Sequence, residues 1–202
     1  SERVRVAVGV CAHHAGRKKD DRQAVARLMT LKYKELGVRE TPVIGHSPAG
    51  QPYLVGSDRQ ISISHDMGCP AVATAASPIG IDLQHLCQVS PSFQRRLQQR
   101  TTGAATSTTP SQAIQSWVAR ESIAKCRGLG LRDKPWDYRL SAGPAGRYEE
   151  CYWVTVFLHQ HSAWLGVSSL YGPIKLILME SALLIERTVE AVSYTHLRAH
   201  ET

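Results

Sequence analysis

Two carboxylates and a lysine occupy positions where the surrounding pattern favours apolar residues. Asp82 lies within "IGIDLQ" (79–84), which is typical of a buried strand, while Glu121 and Lys125 lie one turn apart on a predicted helix. An unpaired charge is costly in either setting. Carboxylates from separate elements can share a Mg²⁺ ion, which proteins hold with one or two carboxylates together with phosphates and water. These residue types therefore indicate magnesium-assisted chemistry on a phosphate, with Lys125 as a point charge for that phosphate.

Each of these charges also has a simpler structural interpretation. One helical stripe, at 100° per residue, contains Ile114, Val118, Glu121 and Lys125. An i,i+4 Glu–Lys pair at the edge of a solvated face would contribute only roughly 0.2–0.5 kcal/mol and needs no ligand. Asp82, expected at a strand end, can bond to loop amides or cap a turn. The metal interpretation requires the two carboxylates to converge, and their spacing leaves both interpretations open.

A histidine lies near the end of the alternating stretch "QISISHD" (60–66), in which isoleucines on one face alternate with serines on the other. A lone histidine is more often a hydrogen-bonded structural residue than a catalyst. Here Ser64 and Asp66 flank His65 just before a glycine, where a strand meets a loop. This is also a position from which a side chain can contact a phosphate.

Alternation of apolar and polar residues predicts the strands that carry these groups. The predicted strands are "RVRVAVGV" (3–10), "QISISHD" (60–66), "AVATAAS" (71–77) and "IGIDLQ" (79–84). A Ser-Pro turn separates the last two. The segment 151–172 has strand-like composition, and the Pro- and Gly-rich stretch 42–56 predicts a loop.

Two helices complete the predicted framework. The first covers 20–37, and the second starts at a capping box in 109–112, with proline at its first helical position, and is expected to stop near Gly128. The low-complexity segment 98–112 predicts a mobile loop before the second helix. This order of elements predicts an α+β chain in two lobes, with the boundary near residues 86–90.

Three short motifs, in this order, resemble the signatures of 4′-phosphopantetheinyl transferases. They are "SISHDMG" (62–68), "IGIDLQ" (79–84) and "WVARESIAKCRGLGL" (117–131), preceded by "GQPYL" (50–54). The family's usual forms are Ser-His-Ser near a strand end, Gly-(Ile/Val)-Asp-x-Glu, and Trp-x-x-Lys-Glu-(Ser/Ala)-x-x-Lys followed by glycines. The resemblance covers residues 3–170. Within the family, the chain is similar to the larger, two-lobed, monomeric type.

This resemblance implies both a fold and an activity. The fold is α+β, with two similar α/β lobes, 1–86 and 87–191, related by pseudo-twofold symmetry and an active site at the lobe interface. The activity is transfer of the 4′-phosphopantetheine moiety of coenzyme A to a serine of an apo acyl or peptidyl carrier protein, with release of 3′,5′-ADP. Mg²⁺ is the implied cofactor and coenzyme A the co-substrate.

The resemblance also assigns roles to the charged residues. Asp82 and Glu121 are implied Mg²⁺ ligands that grip the pyrophosphate of coenzyme A through the ion. Glu121, directly or through a metal-held water, would help to deprotonate the acceptor serine, which attacks the β-phosphate. Lys125 would neutralise charge on the bridging and leaving oxygens. Phosphoryl-type transfer depends mainly on such positioning and electrostatic stabilisation.

The 3′-phosphate of coenzyme A has its own implied contacts. His65, together with Ser64, is expected to contact it. The densest basic cluster in the chain, Arg17, Lys18 and Lys19, supplies further candidates, although no motif fixes which of them takes part.

Two positions depart from the family pattern. Gln84 stands where many two-lobed members have glutamate; its amide oxygen can still ligate Mg²⁺ or hold a metal-bound water, but one negative charge is gone. The alternative function is therefore a catalytically weakened member that binds coenzyme A or a carrier protein without efficient transfer. Arg120 replaces the more usual lysine, which keeps the charge but not its point-charge geometry.

The bulk composition limits the class of partner. The chain is 43% hydrophobic and 20% charged, and its formal net charge of +7 predicts an anionic partner. The acidic helix of a carrier protein fits this charge, with Arg95, Arg96 and Arg100 as candidate contacts, although scattered solvated charges explain them equally well. A nucleic-acid-binding module rests on net charge alone, so we expect no nucleic-acid partner.

Location and chain ends are predicted from equally simple features. The five cysteines are scattered and lack a C-x-x-C pair, which favours a reducing, cytoplasmic setting. No apolar run is long enough to span a bilayer, so we expect no membrane partner. The stretch "VSYTHLRAHET" (192–202) resembles the translation of a transposase-based sequencing adapter, and we expect it to have no evolved role.

Overall fold

The computed structural model describes residues 4–10, 43–88, 90–93, 95–96, 109–180 and 185–190. Several predicted features lie outside the described residues. They are the helix at 20–37, the basic cluster Arg17, Lys18 and Lys19, the segment 98–108 with Arg100, and the stretch 192–202.

The described residues form eleven strands and one long helix, with short 3₁₀ turns. The strands are β1 Val4–Val10, β2 Ile44–His46, β3 Pro52–Leu54, β4 Gln60–Asp66, β5 Cys69–Ala75, β6 Ile79–His85, β7 Ala145–Tyr148, β8 Cys151–Leu158, β9 Ala163–Ser169, β10 Ile174–Glu180 and β11 Ile185–Glu190. The helix, α1, covers Pro110–Cys126, and the 3₁₀ turns are Leu86–Gln88, Gly130–Asp133, Pro135–Asp137 and His159–His161. The predicted mixture of strands and helix is confirmed. No helix in the described part of the chain is long and apolar enough to cross a bilayer.

The strands form two larger sheets and a hairpin. The five-stranded sheet has the order β11-β10-β1-β5-β4, and the four-stranded sheet has the order β6-β9-β8-β7. β1 runs parallel to β10, and the other neighbours are antiparallel. Apolar side chains of both sheets, including Val8, Leu176, Ile81 and Leu165, are buried in one shared core. Because β6 precedes α1 and β10 follows it, each sheet contains strands from both halves of the chain.

The predicted loop at 42–56 contains a hairpin instead, so that prediction is wrong in part. β2 pairs with β3, and the turn between them is closed by a bond from Gly50 N to Ser47 O of 2.8 Å. Leu54 packs in a small cluster with Ile61 and Val72, which anchors β3 to the large sheet. This long-range packing stabilises strands that the Pro- and Gly-rich composition disfavours.

Side chains join β4 to β6, which are edge strands of different sheets. Every second backbone N–H along β6 donates to a β4 side chain: Ile81 N to Ser62 Oγ (3.0 Å), Leu83 N to Ser64 Oγ (3.1 Å) and His85 N to Asp66 Oδ2 (2.7 Å). Both strands have a side-chain period of two, so three consecutive acceptors meet three donors in register. The buried serines of the alternating stretch are therefore satisfied polar groups that close the open edge of β6.

Helix α1 begins and ends as its sequence predicts. Thr109 Oγ1 accepts from Gln112 N at 3.2 Å and Gln112 Oε1 accepts from Thr109 N at 2.9 Å, which completes the capping box. Pro110 is the first helical residue, and Gly128, just beyond the helix, has a positive φ of 75°. Such a glycine stops a helix because a left-handed conformation costs it little.

Two glycines bring α1 against the face of the four-stranded sheet that is turned away from the shared core. A Cβ atom at Gly80 would lie 2.0 Å from the carbonyl oxygen of Ser122, and one at Gly166 would lie 2.3 Å from that of Val118. A side chain at either position would separate the helix from the sheet. Gly166 pairs with Asp82 across the β6–β9 ladder, so the close approach of the helix occurs beside this aspartate.

Candidate functional site

Asp82 lies in the middle of β6, not at a strand end, so the expected strand-end position is wrong. It is the fourth residue of the seven in Ile79–His85, and β6 continues beyond it because β9 pairs with one edge and β4 side chains bind the other. The aspartate is 8% exposed. Its Oδ1 accepts from Lys125 Nζ at 2.8 Å and from Ser64 Oγ at 3.0 Å. Its partners are thus a helix and a neighbouring strand rather than loop amides.

The charged end of the α1 stripe meets Asp82. Ile114 and Val118 are fully buried on this stripe, whereas Glu121 and Lys125 are half-buried. The ammonium group of Lys125 reaches across to β6 and pairs with Asp82, with side chains 29% and 11% exposed respectively. A surface i,i+4 pair does not describe this geometry, because Lys125 connects two elements.

Glu121 carries an unusually basic carboxylate. Burial, and to a smaller extent the charge of Asp82, raise its pKa from 4.5 to about 7, although the charge of Lys125 acts in the opposite direction. Glu121 is therefore a largely buried carboxylate that lies close enough to Asp82 and Lys125 to be affected by both charges, and its ionised form is disfavoured. A cation bound here would remove this penalty. A carboxylate with a pKa near neutrality is also suited to accept a proton at physiological pH.

The raised pKa predicts that Glu121 destabilises the protein as it ionises. The pKa is higher in the folded state than in the unfolded chain, so the stability present below pH 4.5 is lost as the pH rises through 7. Glu121→Gln is neutral throughout, so without divalent cations we expect its free energy of unfolding to exceed that of the wild type by little at pH 4.5 and by roughly 2–3 kcal/mol at pH 8. Urea denaturation across this range measures the difference. Glu150→Gln, at a solvent-exposed carboxylate, is the control, and a difference that does not change with pH would contradict the prediction.

Gln84 lies on the same face of β6 as Asp82, two residues further along. Its Nε2 lies 3.5 Å from Asp66 Oδ2, the oxygen that also accepts from His85 N at 2.7 Å. His85 Nδ1 lies 3.0 Å from the same oxygen. Asp66 is therefore held at the end of the β4–β6 junction, next to the Gln84 amide.

Ser64 and His65 have opposite environments. Ser64 is 5% exposed, and its hydroxyl accepts from Leu83 N and donates to Asp82, so it fixes the aspartate against β4. His65 is exposed and lies on the other face of the strand. Their contacts with the 3′-phosphate remain predictions, as do those of Arg17 and Lys18, which lie outside the described residues.

Arg120 has a structural role that its place in the motif did not indicate. It is 1% exposed, and its Nη1 donates to the carbonyl oxygens of Pro135 (3.1 Å), Trp136 (3.3 Å) and Tyr138. Its Nε donates to Ser116 Oγ at 3.1 Å. The guanidinium group thus anchors the segment after α1. Its hydrogen bonds go to these oxygen atoms and not to Asp82, Glu121 or Lys125, which together form the Asp82 cluster. A charged residue within a helix gives no sequence signal for partners 15 or more positions away.

The side chains at and near Asp82 include the donor types of a magnesium site. Asp82, Glu121 and the amide of Gln84 offer only oxygen ligands, which Mg²⁺ prefers. Within the described ranges, no three His, Cys, Asp or Glu residues are grouped so that they could hold a metal by themselves. Mg²⁺ commonly binds through one or two carboxylates, with phosphates and water as the other ligands.

Comparison with known proteins adds no family assignment. The sequence matches none of the protein-family models with which it was compared, and no curated protein is significantly similar to it. The three short motifs and their geometry are therefore the basis for a functional proposal.

Proposed function

We propose that this chain is a 4′-phosphopantetheinyl transferase of the larger, two-lobed type. One observation carries the proposal: the three motifs, far apart in sequence, meet at a single carboxylate oxygen. Ser64 from the first motif and Lys125 from the third both bond to Oδ1 of Asp82, which belongs to the second. A purely structural origin of the three motifs would not require them to come together.

The proposed roles follow from this arrangement. Asp82 and Glu121, with the amide oxygen of Gln84, would hold Mg²⁺, which when bound stabilises charge on the pyrophosphate of coenzyme A. Glu121 accepts the proton of the acceptor serine, directly or through a water. The serine oxygen bonds to the β-phosphorus, the bond from this phosphorus to the bridging oxygen breaks, and 3′,5′-ADP leaves with the electron pair. As negative charge grows on the bridging and leaving oxygens, the Lys125 ammonium group gives up its bond to Asp82 and binds these oxygens instead.

The binding of coenzyme A also involves the first motif in this proposal. Exposed His65, with Arg17 and Lys18, contacts the 3′-phosphate, and Ser64 joins them by turning its hydroxyl proton from Asp82 to the phosphate. The carrier protein approaches with its acidic helix towards exposed basic residues, of which Arg95 and Arg96 lie in the described part of the chain.

The proposal includes a two-lobed architecture, with lobes 1–86 and 87–191 related by a pseudo-twofold axis, in a cytoplasmic monomer. Reciprocal exchange of strands supports it: β6 joins the sheet built from later strands, and β10 and β11 join the sheet that contains β1. The active site then lies where the edges of the two sheets meet, at the β4–β6 junction.

Transfer is tested directly by labelling. Incubation with fluorescent coenzyme A, Mg²⁺ and a panel of apo carriers from fatty acid, polyketide, nonribosomal peptide and lysine pathways is expected to label at least one carrier on its acceptor serine. A carrier whose acceptor serine is replaced by alanine, and a reaction with chelator, are the controls. Absence of label from every carrier, with the protein folded, would overturn the proposal.

The second candidate function is a family member that binds coenzyme A or a carrier without efficient transfer. The observation that favours it is Gln84, which removes a carboxylate from the implied metal ligands. Calorimetric binding of coenzyme A without Mg²⁺-dependent labelling would select this candidate over the first.

A further inference from the structure

The side-chain amide of Gln84 has an oxygen and a nitrogen, and only the oxygen could contribute to a cation site. Its oxygen can bind a cation or a metal-held water, whereas its nitrogen carries two donor hydrogens and repels a cation. The two ends have nearly the same shape, so local sterics do not choose between them. The hydrogen-bond partners of the amide must therefore determine whether its oxygen or its nitrogen is directed towards Asp82 and Glu121.

The neighbouring carboxylate of Asp66 favours one orientation of the Gln84 amide. An ionised carboxylate only accepts hydrogen bonds, and Asp66 Oδ2 lies 3.5 Å from Gln84 Nε2. The bond is long and weak, but the reversed amide would place its oxygen against the carboxylate oxygen, which is repulsive. The orientation is set by the sign of this interaction rather than by its strength.

The position of Asp66 is itself fixed. Oδ2 accepts from His85 N at 2.7 Å, and His85 Nδ1, as the protonated nitrogen, donates to it at 3.0 Å. The Asp66 and His85 side chains are only 19% and 11% exposed. The carboxylate is thus held in place by a strand N–H and a mostly buried imidazole, so it can act on a neighbouring side chain without moving.

We propose that Asp66 is a positioning residue, which directs the carbonyl oxygen of Gln84 towards the cation site beside Asp82. This inference rests on the proposed function. Gln84 stands where the related motif has glutamate, and its Nε2 lies 3.5 Å from Asp66 Oδ2. A glutamate has two equivalent oxygens and needs no such orientation; a glutamine does.

The test is a double-mutant cycle that measures Mn²⁺ binding by electron paramagnetic resonance, with coenzyme A present and no carrier, so that no turnover is needed. Asp66→Ser retains an acceptor for His85 N, as Ser62 and Ser64 do for their β6 partners. A hydroxyl both donates and accepts, so it does not enforce one amide orientation. We expect Asp66→Ser to weaken Mn²⁺ binding by about 10-fold, in the range typical of groups that orient metal ligands.

In the Gln84→Glu background, the same Asp66→Ser substitution is expected to leave Mn²⁺ affinity unchanged or raise it, because nothing remains to be oriented. Equal losses in both backgrounds, or wild-type affinity in Asp66→Ser, would overturn the inference while transfer by the wild type continues. Asp66→Thr, which also presents a hydroxyl, provides the same comparison if Asp66→Ser does not fold. A wild-type protein that neither binds Mn²⁺ with coenzyme A nor labels a carrier would remove the proposed function together with this inference.

Discussion

Asp82→Asn is expected to abolish transfer of 4′-phosphopantetheine while the protein stays folded. Asparagine has the shape of aspartate, and its oxygen can still accept from Ser64 Oγ and Lys125 Nζ, which now bond to Asp82 Oδ1. What disappears is the negative charge that a divalent cation needs. The loss of metal-assisted charge stabilisation, several kcal/mol, predicts a fall in kcat/KM of roughly 10³-fold or more. Asp82→Ala should be at least as inactive.

Carrier labelling as a function of coenzyme A and Mg²⁺ concentration measures this loss, and thermal unfolding shows whether the fold is kept. Asp58→Asn is the matched control, because Asp58 is an exposed aspartate in the loop before β4. Its activity should equal that of the wild type. If Asp82→Asn retained full activity with an unchanged Mg²⁺ requirement, Asp82 would not be a metal ligand.

Local patterns were sufficient for the elements that carry the candidate site. The alternation in 60–66 predicted β4, and the capping box at Thr109 predicted the start of α1, because both signals depend only on neighbouring residues. The stripe that contains Glu121 and Lys125 follows from helical periodicity in the same way. That Lys125 reaches Asp82 follows from none of these signals, since it depends on how closely α1 approaches β6 at Gly80.

Features that depend on distant partners were not predictable. β6 extends past Asp82 because β4 side chains bind its free edge, and a single sequence does not show which strand will lie there. The β2–β3 hairpin looked like a loop because its stabilising contacts, such as those of Leu54, are with strands later in the chain. Arg120 was interpreted as part of the reactive motif for the same reason, since its partners are carbonyls beyond the helix.

The buried contacts of Arg120 predict a large loss of stability for Arg120→Lys. Its guanidinium group is 1% exposed and donates to Ser116 and to three carbonyl oxygens in the segment 135–138. Burial lowers its pKa to about 10, so it is still charged at neutral pH and needs these acceptors. A lysine has one nitrogen in place of a planar fork and cannot reach all of them.

Pro135 O keeps a second donor, Tyr138 N at 3.3 Å, but each buried polar group that loses its partner costs about 1–3 kcal/mol, so Arg120→Lys is expected to lower the free energy of unfolding by roughly 3 kcal/mol. Urea denaturation measures the change, with Arg139→Lys, at an exposed arginine that follows the same segment, as the control. At low temperature, the fraction of Arg120→Lys that remains folded should keep most of its kcat, because the Asp82 cluster does not include Arg120. Wild-type stability combined with lost transfer would instead place Arg120 in the reaction itself and overturn the structural role derived from its carbonyl contacts.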